Sequence, residues 1–303
     1  MKKIYRLTPS LHECIWGGNK LKELGKKTEN GVFGESWELS FVPGSEALVD
    51  GVRVSDAFDR KAWGRACDGF ENFPVLTKFI DAKDKLSVQV HPSDEYALKN
   101  EGQYGKTEMW YIVAAEKGSG IYMGLKRNAT PEEFSKAVAD GTVEELLSFK
   151  EVKAGEVYFI PSGTVHAIGS GVLIFEIQQN STLTYRLYDY MRRDKAGNLR
   201  ELHVEKAMRV SKLEPYDGAT RVEKNDTLIG KCKYFETHLY RPYGGKITVC
   251  SPHSYLSLTC TRGEGYIDDE RAVAGDSFFV PAGEGEVELC GDMDVIAVTT
   301  PLG

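Results

Sequence analysis

Three short polar side chains share one face of a predicted strand that stops at Pro92. They alternate with apolar residues in the order Leu86, Ser87, Val88, Gln89, Val90, His91. Because successive side chains of a strand point to opposite faces, the hydroxyl, the amide and the imidazole all point the same way. Such a face is typical of a barrel lumen or a metal site. The alternative is a surface strand that happens to hold one histidine.

A cation and an anion begin the next apolar strand. Lys106 and Glu108 share a face with Trp110 and Ile112 by the same alternation. One interpretation is a cross-strand salt bridge on the surface. The other is a polar site shared with Gln89 and His91, which lie shortly before this strand in the chain.

A second histidine comes from the strongest motif in the chain. Residues 155–166 have the form G-x5-P-x-G-x2-H, in which a strand enters a turn at Pro161 and Gly163 and His166 opens the next strand. This motif resembles that of the cupin superfamily, whose double-stranded β-helix barrels hold a metal in the lumen.

The same pattern occurs a second time. Residues 275–286 repeat it, with Glu286 in the position of His166, and no H-x-H precedes this copy. We therefore expect a mostly β protein with two cupin-like jelly-roll barrels. Residues 1–220 form the predicted metal-binding catalytic domain, and residues 221–303 form a C-terminal cupin-like domain without a metal site. In the latter, His238 and His253 stand alone and are interpreted as structural residues.

Helix signals interrupt the β pattern in three places. Thr130 and Pro131, followed by two glutamates, have the form of an N-cap and a first turn, which predicts a small helical insertion near 130–149. Ser93 is a predicted N-cap for a helix over 93–101. Residues 55–70 are predicted to form one short helix, and residues 34–40 form a strand.

Composition narrows the class of protein. A net charge of -7 over 303 residues argues against nucleic acid or an anionic membrane as a partner. No apolar run approaches the roughly 18 residues of a membrane span, and no signal peptide is apparent. The 6 cysteines lack CxxC spacing, which indicates reduced thiols in a cytoplasmic protein.

Two charged residues follow the histidine motif. Glu176 lies within an apolar strand, where an unpaired carboxylate is costly, so it must meet a cation, a metal or a hydrogen-bond donor. Burial is expected to raise the pKa of Glu176 towards neutrality. Arg186 either pairs with Asp189 or presents its planar guanidinium to a phosphate or an enediolate oxygen.

Together these motifs resemble type I mannose-6-phosphate isomerase in its short bacterial form. The likeness extends over essentially the whole chain and is carried by residues 15–18, 34–38, 87–92, 106–108, 161–167 and 178–186. The resemblance implies a zinc-dependent cupin enzyme that interconverts mannose 6-phosphate and fructose 6-phosphate.

The resemblance also implies roles for individual residues. It implies one bound zinc ion per chain, with Gln89, His91, Glu108 and His166 as its expected ligands. The expected substrate-binding residues are Ser87, Lys106 and Arg186. Two imidazoles, a carboxylate and an amide suit zinc and leave room for a ligand, although iron or manganese would also fit.

The expected chemistry moves a proton between two sugar carbons through a cis-enediolate. Lys106 and Arg186 would stabilise the charge on the enediolate oxygens, together with the metal, and Glu176 would transfer the proton. These three residues are the predicted catalytic residues.

The phosphate site must differ from that of longer family members. They carry a lysine in a Gly-Leu-Thr-x-Lys segment after the active-site arginine, whereas residues 187–190 read Leu-Tyr-Asp-Tyr here. Lys78, Lys83 and Lys85 are the candidates for binding the phosphate. The alternative is that these lysines only keep a surface turn solvated.

Two rival functions remain at this stage. An iron dioxygenase would share the barrel but would need a more apolar pocket, and a non-catalytic sugar-binding cupin would not need a complete set of ligands. The expected partner is a phosphorylated hexose, with no nucleic acid and no membrane, and the expected state is a monomer or a weak homodimer.

Overall fold

The computed structural model describes residues 3–27, 31–194, 196–220 and 227–302. Strands predominate within them, which confirms the mostly β prediction. In chain order the strands are β1 Tyr5–Arg6, β2 Ser10–Gly18, β3 Phe33–Leu39, β4 Leu48–Val49, β5 Val52–Arg53, β6 Val75–Ala82, β7 Val88–Val90, β8 Glu108–Ala115, β9 Gly120–Leu125, β10 Leu147–Glu151, β11 Val157–Ile160, β12 His166–Ile168, β13 Val172–Gln179, β14 Tyr185–Tyr188, β15 Ala219–Thr220, β16 Leu228–Lys231, β17 Glu236–Tyr240, β18 Lys246–Val249, β19 Leu256–Ile267, β20 Glu270–Val273, β21 Ser277–Val280 and β22 Val287–Thr299.

The helices are short and lie between the strands. They are α1 Lys20–Glu23, α2 Val54–Ala57, α3 Arg60–Trp63, α4 Asp94–Glu101, α5 Pro131–Ala139, α6 Val143–Leu146 and α7 Val204–Val210, with one 3-10 turn at Arg65–Cys67. The longest is α5, and none of the helices in the described parts of the chain has the length and apolarity that a membrane crossing needs.

The capping predictions are confirmed, but one helix prediction is wrong. The hydroxyl of Ser93 accepts a hydrogen bond from the backbone of Tyr96, and that of Thr130 accepts one from Glu133. Residues 55–70 do not form one helix, because Phe58 is extended and Gly64 has a φ of 85°. The segment therefore breaks into α2, α3 and the 3-10 turn.

Two sheets face each other to form what we term the first barrel. One has seven strands in the order β15-β11-β8-β13-β6-β2-β3, and the other has five in the order β10-β9-β12-β7-β14. Apolar side chains from both sheets meet in one buried cluster, including Trp110 and Ile174 from the first sheet and Ile121 and Met123 from the second. The space between the sheets is the lumen of the first barrel.

A separate eight-stranded sheet forms the second barrel, around a core that includes Leu258, Phe278 and Leu289. Its strand order is β1-β21-β19-β22-β17-β16, with β18 paired to β22 and β20 paired to β19. The strand β1 comes from the other end of the chain, and Tyr5 is in register with Phe279.

The strand β13 is buried along its whole length because both of its faces are covered. Leu173, Phe175 and Ile177 belong to the cluster that also holds residues of the second barrel, whereas Ile174 packs in the lumen cluster. By alternation, Glu176 shares the lumen face with Ile174. The carboxylate of Glu176 therefore lies in the lumen of the first barrel, although its strand is otherwise largely apolar.

The repeated motif has the same backbone in both barrels. Its two glycines have positive φ in each copy, at 90° and 87° for Gly155 and Gly163 and at 98° and 77° for Gly275 and Gly283. Only the first copy turns its last residue inward: His166 is fully buried, whereas Glu286 is exposed.

The outer face of the five-stranded sheet is covered by helices. Val88 and Val90 pack there against Phe134 of α5 and Ala207 of α7. The prediction that Leu86 shares this face is wrong, because Leu86 precedes β7 and packs in the lumen cluster. The covered outer face leaves the polar side of β7 directed into the lumen.

Candidate active site

Two histidines and a glutamate converge in the lumen of the first barrel. His91 follows β7, Glu108 begins β8 and His166 begins β12, and all three side chains are buried. Their nearest ligand atoms lie within 4.8 Å of one another. Among the described residues, this is the one group of three or more His, Cys, Asp or Glu side chains close enough to hold a metal ion.

Both imidazoles are oriented by backbone carbonyls. Nδ1 of His91 donates to the carbonyl oxygen of Leu183 at 2.9 Å, and Nδ1 of His166 donates to that of Thr164 at 2.8 Å. Burial lowers the pKa of His91 well below its usual value and lowers that of His166 to about 4. Each ring is therefore neutral at pH 7 and presents an unprotonated Nε2 to the site.

The carboxylate of Glu108 faces both free nitrogens. Its Oε1 lies 3.2 Å from Nε2 of His166, and its Oε2 lies 3.4 Å from Nε2 of His91. Oε1 is buried and has no hydrogen-bond partner. Because the two imidazole nitrogens and the ionised carboxylate are all acceptors, the position suits a cation. Two nitrogens and one oxygen are a donor set that fits zinc, with further coordination positions left for other ligands.

Gln89 lies at the edge of this group. Its strand position is in register with His166, and its Nε2 lies 3.4 Å from Nε2 of that imidazole. The oxygen of the same amide accepts a hydrogen bond from Ser87 at 3.4 Å. The amide nitrogen, which is not a metal ligand, therefore faces the site. The amide oxygen would face it only after a half-turn rotation of the amide, so direct ligation by Gln89 stays a prediction.

Lys106 connects the metal-ligand group to Glu176. Its ammonium donates to Glu108 Oε2, to Nε2 of His91 at 3.2 Å and to Oε1 of Glu176 at 3.3 Å. The side chain of Lys106 is only 5% exposed and that of Glu108 is fully buried. The interpretation of Lys106 and Glu108 as a surface salt bridge is therefore wrong.

Glu176 is surrounded by donors, as its place in an apolar strand predicted. Besides Lys106, it meets Nζ of Lys78 at 3.3 Å, and Nε1 of Trp110 donates to its Oε2 at 2.7 Å. Burial by itself would raise the pKa of Glu176, but the two ammonium groups and the indole outweigh burial and lower that pKa. The expectation of a raised pKa is wrong for this reason, and Glu176 is an ionised carboxylate.

Glu108 has the opposite balance. Burial, and next the negative charge of Glu176, raise the pKa of Glu108, although Lys106 acts in the other direction. Nearby positive charge therefore stabilises the ionised form of Glu108 too little to offset burial, whereas it does offset burial for Glu176. A cation bound between Glu108 and the histidines would stabilise the ionised form of Glu108.

A cavity of about 170 Å³ adjoins the metal-ligand group. It is lined by the predicted residues Ser87, Gln89, Lys106, Glu176 and Arg186. The structure thus brings the predicted substrate-binding and catalytic residues to one space. The cavity is also lined by residues for which no role was predicted, including Trp16, Glu35, Trp37 and Arg200.

The three candidate lysines lie in different environments. Lys78 lines the cavity, but its ammonium is paired with Glu35 and Glu176, each at 3.3 Å. Lys83 is exposed, and Lys85 pairs with Glu144 at 2.8 Å. Neither Lys83 nor Lys85 lines the cavity.

Arg186 reaches the cavity without an acidic partner in the described parts of the chain. Its Nη1 donates to the carbonyl oxygen of Glu201 at 2.9 Å, and its Nε is buried without a hydrogen-bond partner. The alternative of a pair with Asp189 is wrong, because that carboxylate is occupied by Arg192 and Arg200.

Some of the missed residues had a signal in the sequence. Glu35 and Trp37 share one face of β3 by alternation, and Lys78 and Ile80 share one face of β6. The sequence therefore indicated a partly polar strand face at both places. Arg200 precedes α7 in a segment without strand or helix periodicity. No pattern in the sequence indicates where its side chain lies.

Two family models match the chain. Residues 4–119 match the phosphomannose isomerase type I catalytic domain, and residues 224–300 match the mannose-6-phosphate isomerase cupin domain. The second match supports the predicted cupin fold.

Characterised relatives resemble the chain along its length. Mannose-6-phosphate isomerase of Streptococcus mutans is 34% identical over 308 residues, with 96% of each chain covered. Mannose-6-phosphate isomerase ManA of Bacillus subtilis is 36% identical over 307 residues, with 95% of this chain and 96% of the relative covered. The crystal structure of the mannose 6-phosphate isomerase from Bacillus subtilis superposes with a TM-score of 0.86 at 32% identity, covering 98% of this chain and 99% of that one. This chain therefore belongs to the type I mannose-6-phosphate isomerase family.

Proposed function

We propose that the protein interconverts mannose 6-phosphate and fructose 6-phosphate with the help of one bound zinc ion. The observation that carries the proposal is the meeting of two imidazole nitrogens and a carboxylate, from His91, His166 and Glu108, beside a polar cavity. Family membership supplies the reaction, and the site has groups that suit it.

The proposed metal ligands are the two histidines and Glu108, with Gln89 as a fourth. Mixed nitrogen and oxygen donors with an open position are typical of catalytic zinc, and iron and manganese accept the same donors. When bound, such an ion would act as a Lewis acid towards oxygen atoms of the sugar.

The residues of the cavity have the charges that the isomerisation requires. A proton must leave C2 of the aldose and arrive at C1, and negative charge builds on the two adjacent oxygens in the cis-enediolate. In our proposal the ammonium of Lys106 and the guanidinium of Arg186 stabilise that charge. The hydroxyl of Ser87 binds the sugar, since it lies on the same cavity wall.

Glu176 is our candidate for the proton carrier. Its carboxylate lines the cavity and is ionised, so it can accept the proton from one carbon and return it to the other. Lys78, Lys106 and Trp110 hold the carboxylate in place, which favours transfer on one face of the sugar.

The two rival functions agree less well with the cavity. A dioxygenase pocket would be mainly apolar, whereas this one is lined by four cationic side chains, those of Lys78, Lys106, Arg186 and Arg200. A simple sugar-binding protein has no need of a buried carboxylate between two ammonium groups.

The direct test combines metal analysis with an isomerase assay. Purified protein should contain about one zinc ion per chain, and its conversion of mannose 6-phosphate should stop on chelation and return with zinc. Re-addition of iron or manganese in place of zinc identifies the preferred ion. Bound metal without conversion would contradict the proposed substrate, and absence of any bound metal would contradict the site itself.

A further inference from the structure

Two arginines pair with one buried carboxylate beside the cavity, and a third arginine lies near them. Asp189 is 5% exposed. It accepts two hydrogen bonds from Arg200, from Nε and from Nη2, each at 2.6 Å, and one from Arg192. The third arginine, Arg186, is close enough that the other two lower its pKa, although burial is the main cause. We term these four residues the arginine cluster.

The arginine cluster carries an excess of positive charge. Three guanidiniums and one carboxylate leave a local charge of about +2, since arginine stays protonated at pH 7. Glu201 offers Arg186 only its backbone carbonyl, and its own carboxylate is 83% exposed and therefore well screened. The other two cations of the cavity, Lys78 and Lys106, are already paired with buried carboxylates.

One donor of the cluster has no partner among the described residues. Nε of Arg186 is buried and makes no hydrogen bond to them, and a buried donor left unsatisfied is costly. Arg186 and Arg200 both line the cavity, whereas Arg192 does not. An occupant with several acceptor oxygens and about two negative charges would satisfy the free donor and balance the charge. A phosphate monoester has both properties.

The fold brings Arg200 to this position from a loop. The backbone of His203 donates to the carbonyl oxygen of Arg186 at 2.7 Å, so the end of the loop is joined to β14. Arg192 donates to the backbone carbonyl of Lys85, so the start of the loop is joined to the segment before β7. Asp189 then fixes the direction of the Arg200 guanidinium by its two hydrogen bonds.

We propose that Arg186 and Arg200 together bind the phosphate group of the substrate. This inference rests on the proposed function and deepens it. Arg200 would provide a second cation beside Arg186, since both guanidiniums line the same cavity. The planar guanidinium suits a phosphate because it can donate two parallel hydrogen bonds.

The test compares Arg200→Ala with a charge-matched control. For Arg200→Ala, KM for mannose 6-phosphate should rise by about 10- to 100-fold, the usual effect of losing a charge-assisted contact, with a much smaller change in kcat. Inhibition by inorganic phosphate should weaken by a similar factor. Turnover of unphosphorylated mannose, if measured at high concentration, should change by less than about twofold, because Arg200 would have no group to bind.

Arg193→Ala is the control. Arg193 is exposed in the same loop, donates to the carbonyl of Gly197 and does not line the cavity, so its removal changes net charge equally without touching the cavity. It should leave KM for mannose 6-phosphate nearly unchanged. Arg200→Lys should recover part of the lost affinity, since it restores the charge but not the fork of donors. Thermal melting and metal content of each variant establish that the fold is intact.

Two results would overturn the inference. One is an unchanged KM and an unchanged phosphate inhibition constant in Arg200→Ala. The other is an equal loss with phosphorylated and unphosphorylated sugar, which would indicate a structural role for Arg200. If the wild-type protein does not isomerise mannose 6-phosphate, the proposed function fails. Calorimetry with inorganic phosphate then still decides this inference, by binding to the wild type and loss of binding in Arg200→Ala.

Discussion

Nε2 of His166 lies 3.2 Å from Oε1 of Glu108, and the imidazole offers no proton to this contact. The imidazole proton is on Nδ1, where it is donated to the carbonyl of Thr164. The ionised carboxylate and the neutral imidazole nitrogen repel each other at this distance unless a cation lies between them. The geometry of this pair is therefore suited to a metal site.

Replacement of Glu108 by glutamine is expected to lower metal affinity by at least about 100-fold. Loss of a residue that only hydrogen-bonds a metal ligand already costs up to about 100-fold, and loss of the ligand itself should cost no less. The amide keeps the size of the side chain but removes its charge. Metal content after dialysis against a weak chelator measures the effect. His238→Asn is the matched control, since His238 lies in the second barrel and contacts Glu236 at 3.0 Å. Retention of a full metal complement by Glu108→Gln would contradict its role as a ligand.

Glu176→Gln is expected to reduce kcat by about 100- to 10,000-fold, the usual contribution of a positioned proton carrier. Bound metal should remain, because Glu176 is not among the proposed ligands. Steady-state kinetics and elemental analysis on one preparation separate the two effects. The exposed Glu151→Gln is the control and should behave as wild type. Near-normal turnover by Glu176→Gln would eliminate it as the base.

Trp110→Phe is expected to shift the acid limb of the kcat profile to higher pH. The indole hydrogen bond stabilises the ionised form of Glu176 and so lowers its pKa. Without the bond that pKa rises, so the carboxylate becomes protonated at a higher pH than in the wild type. Measurement of kcat across the acidic range checks the direction of the shift.

Trp63→Phe provides the control for this experiment. Nε1 of Trp63 is buried without a hydrogen-bond partner, and the ring packs on Phe41 and Phe73 outside the cavity. The same substitution there should leave the pH profile unchanged. A shift of equal size in both variants would show that loss of an indole, and not loss of the bond to Glu176, is responsible.

Lys26→Ala is expected to lower the free energy of unfolding by about 3–5 kcal/mol, because it leaves a buried carboxylate without its cation. Lys26 is 7% exposed and pairs with the fully buried Glu38 at 2.7 Å. The same carboxylate accepts a hydrogen bond from Ser277 of the second barrel at 2.9 Å. Urea denaturation of wild type and variant gives the difference.

A second lysine pair sets the scale for that result. Lys20 pairs with Glu116 at 2.8 Å, but the glutamate is 66% exposed. Lys20→Ala should therefore cost no more than about 1 kcal/mol. Equal losses in Lys20→Ala and Lys26→Ala would mean that burial of Glu38 has no special effect.

The metal-ligand candidates were predictable because they depend on local rules. Alternation places Gln89 and His91 on one face, and the glycine turn before His166 requires a positive φ that the sequence already indicates. The repeat at residues 275–286 was predictable for the same reason. Each of these features is specified by a few neighbouring residues.

The balance of charge around Glu176 was not predictable in the same way. Its pKa depends on Lys78 from β6 and Lys106 before β8, which come from distant parts of the chain. Arg200 escaped prediction because a loop, and not a periodic element, carries it to the cavity. Both cases depend on tertiary contacts that one strand or motif does not determine.

The pairing of Tyr5 with Phe279 has a consequence for biosynthesis. A chain that leaves the ribosome from its N-terminus offers β1 long before β21 exists, and elongation across the intervening residues takes on the order of tens of seconds. Until β21 has been made, β1 cannot pair with it, so a first barrel that forms during synthesis forms before this pairing. Completion of the second barrel is thus the step at which the earliest and the latest parts of the chain are first locked together.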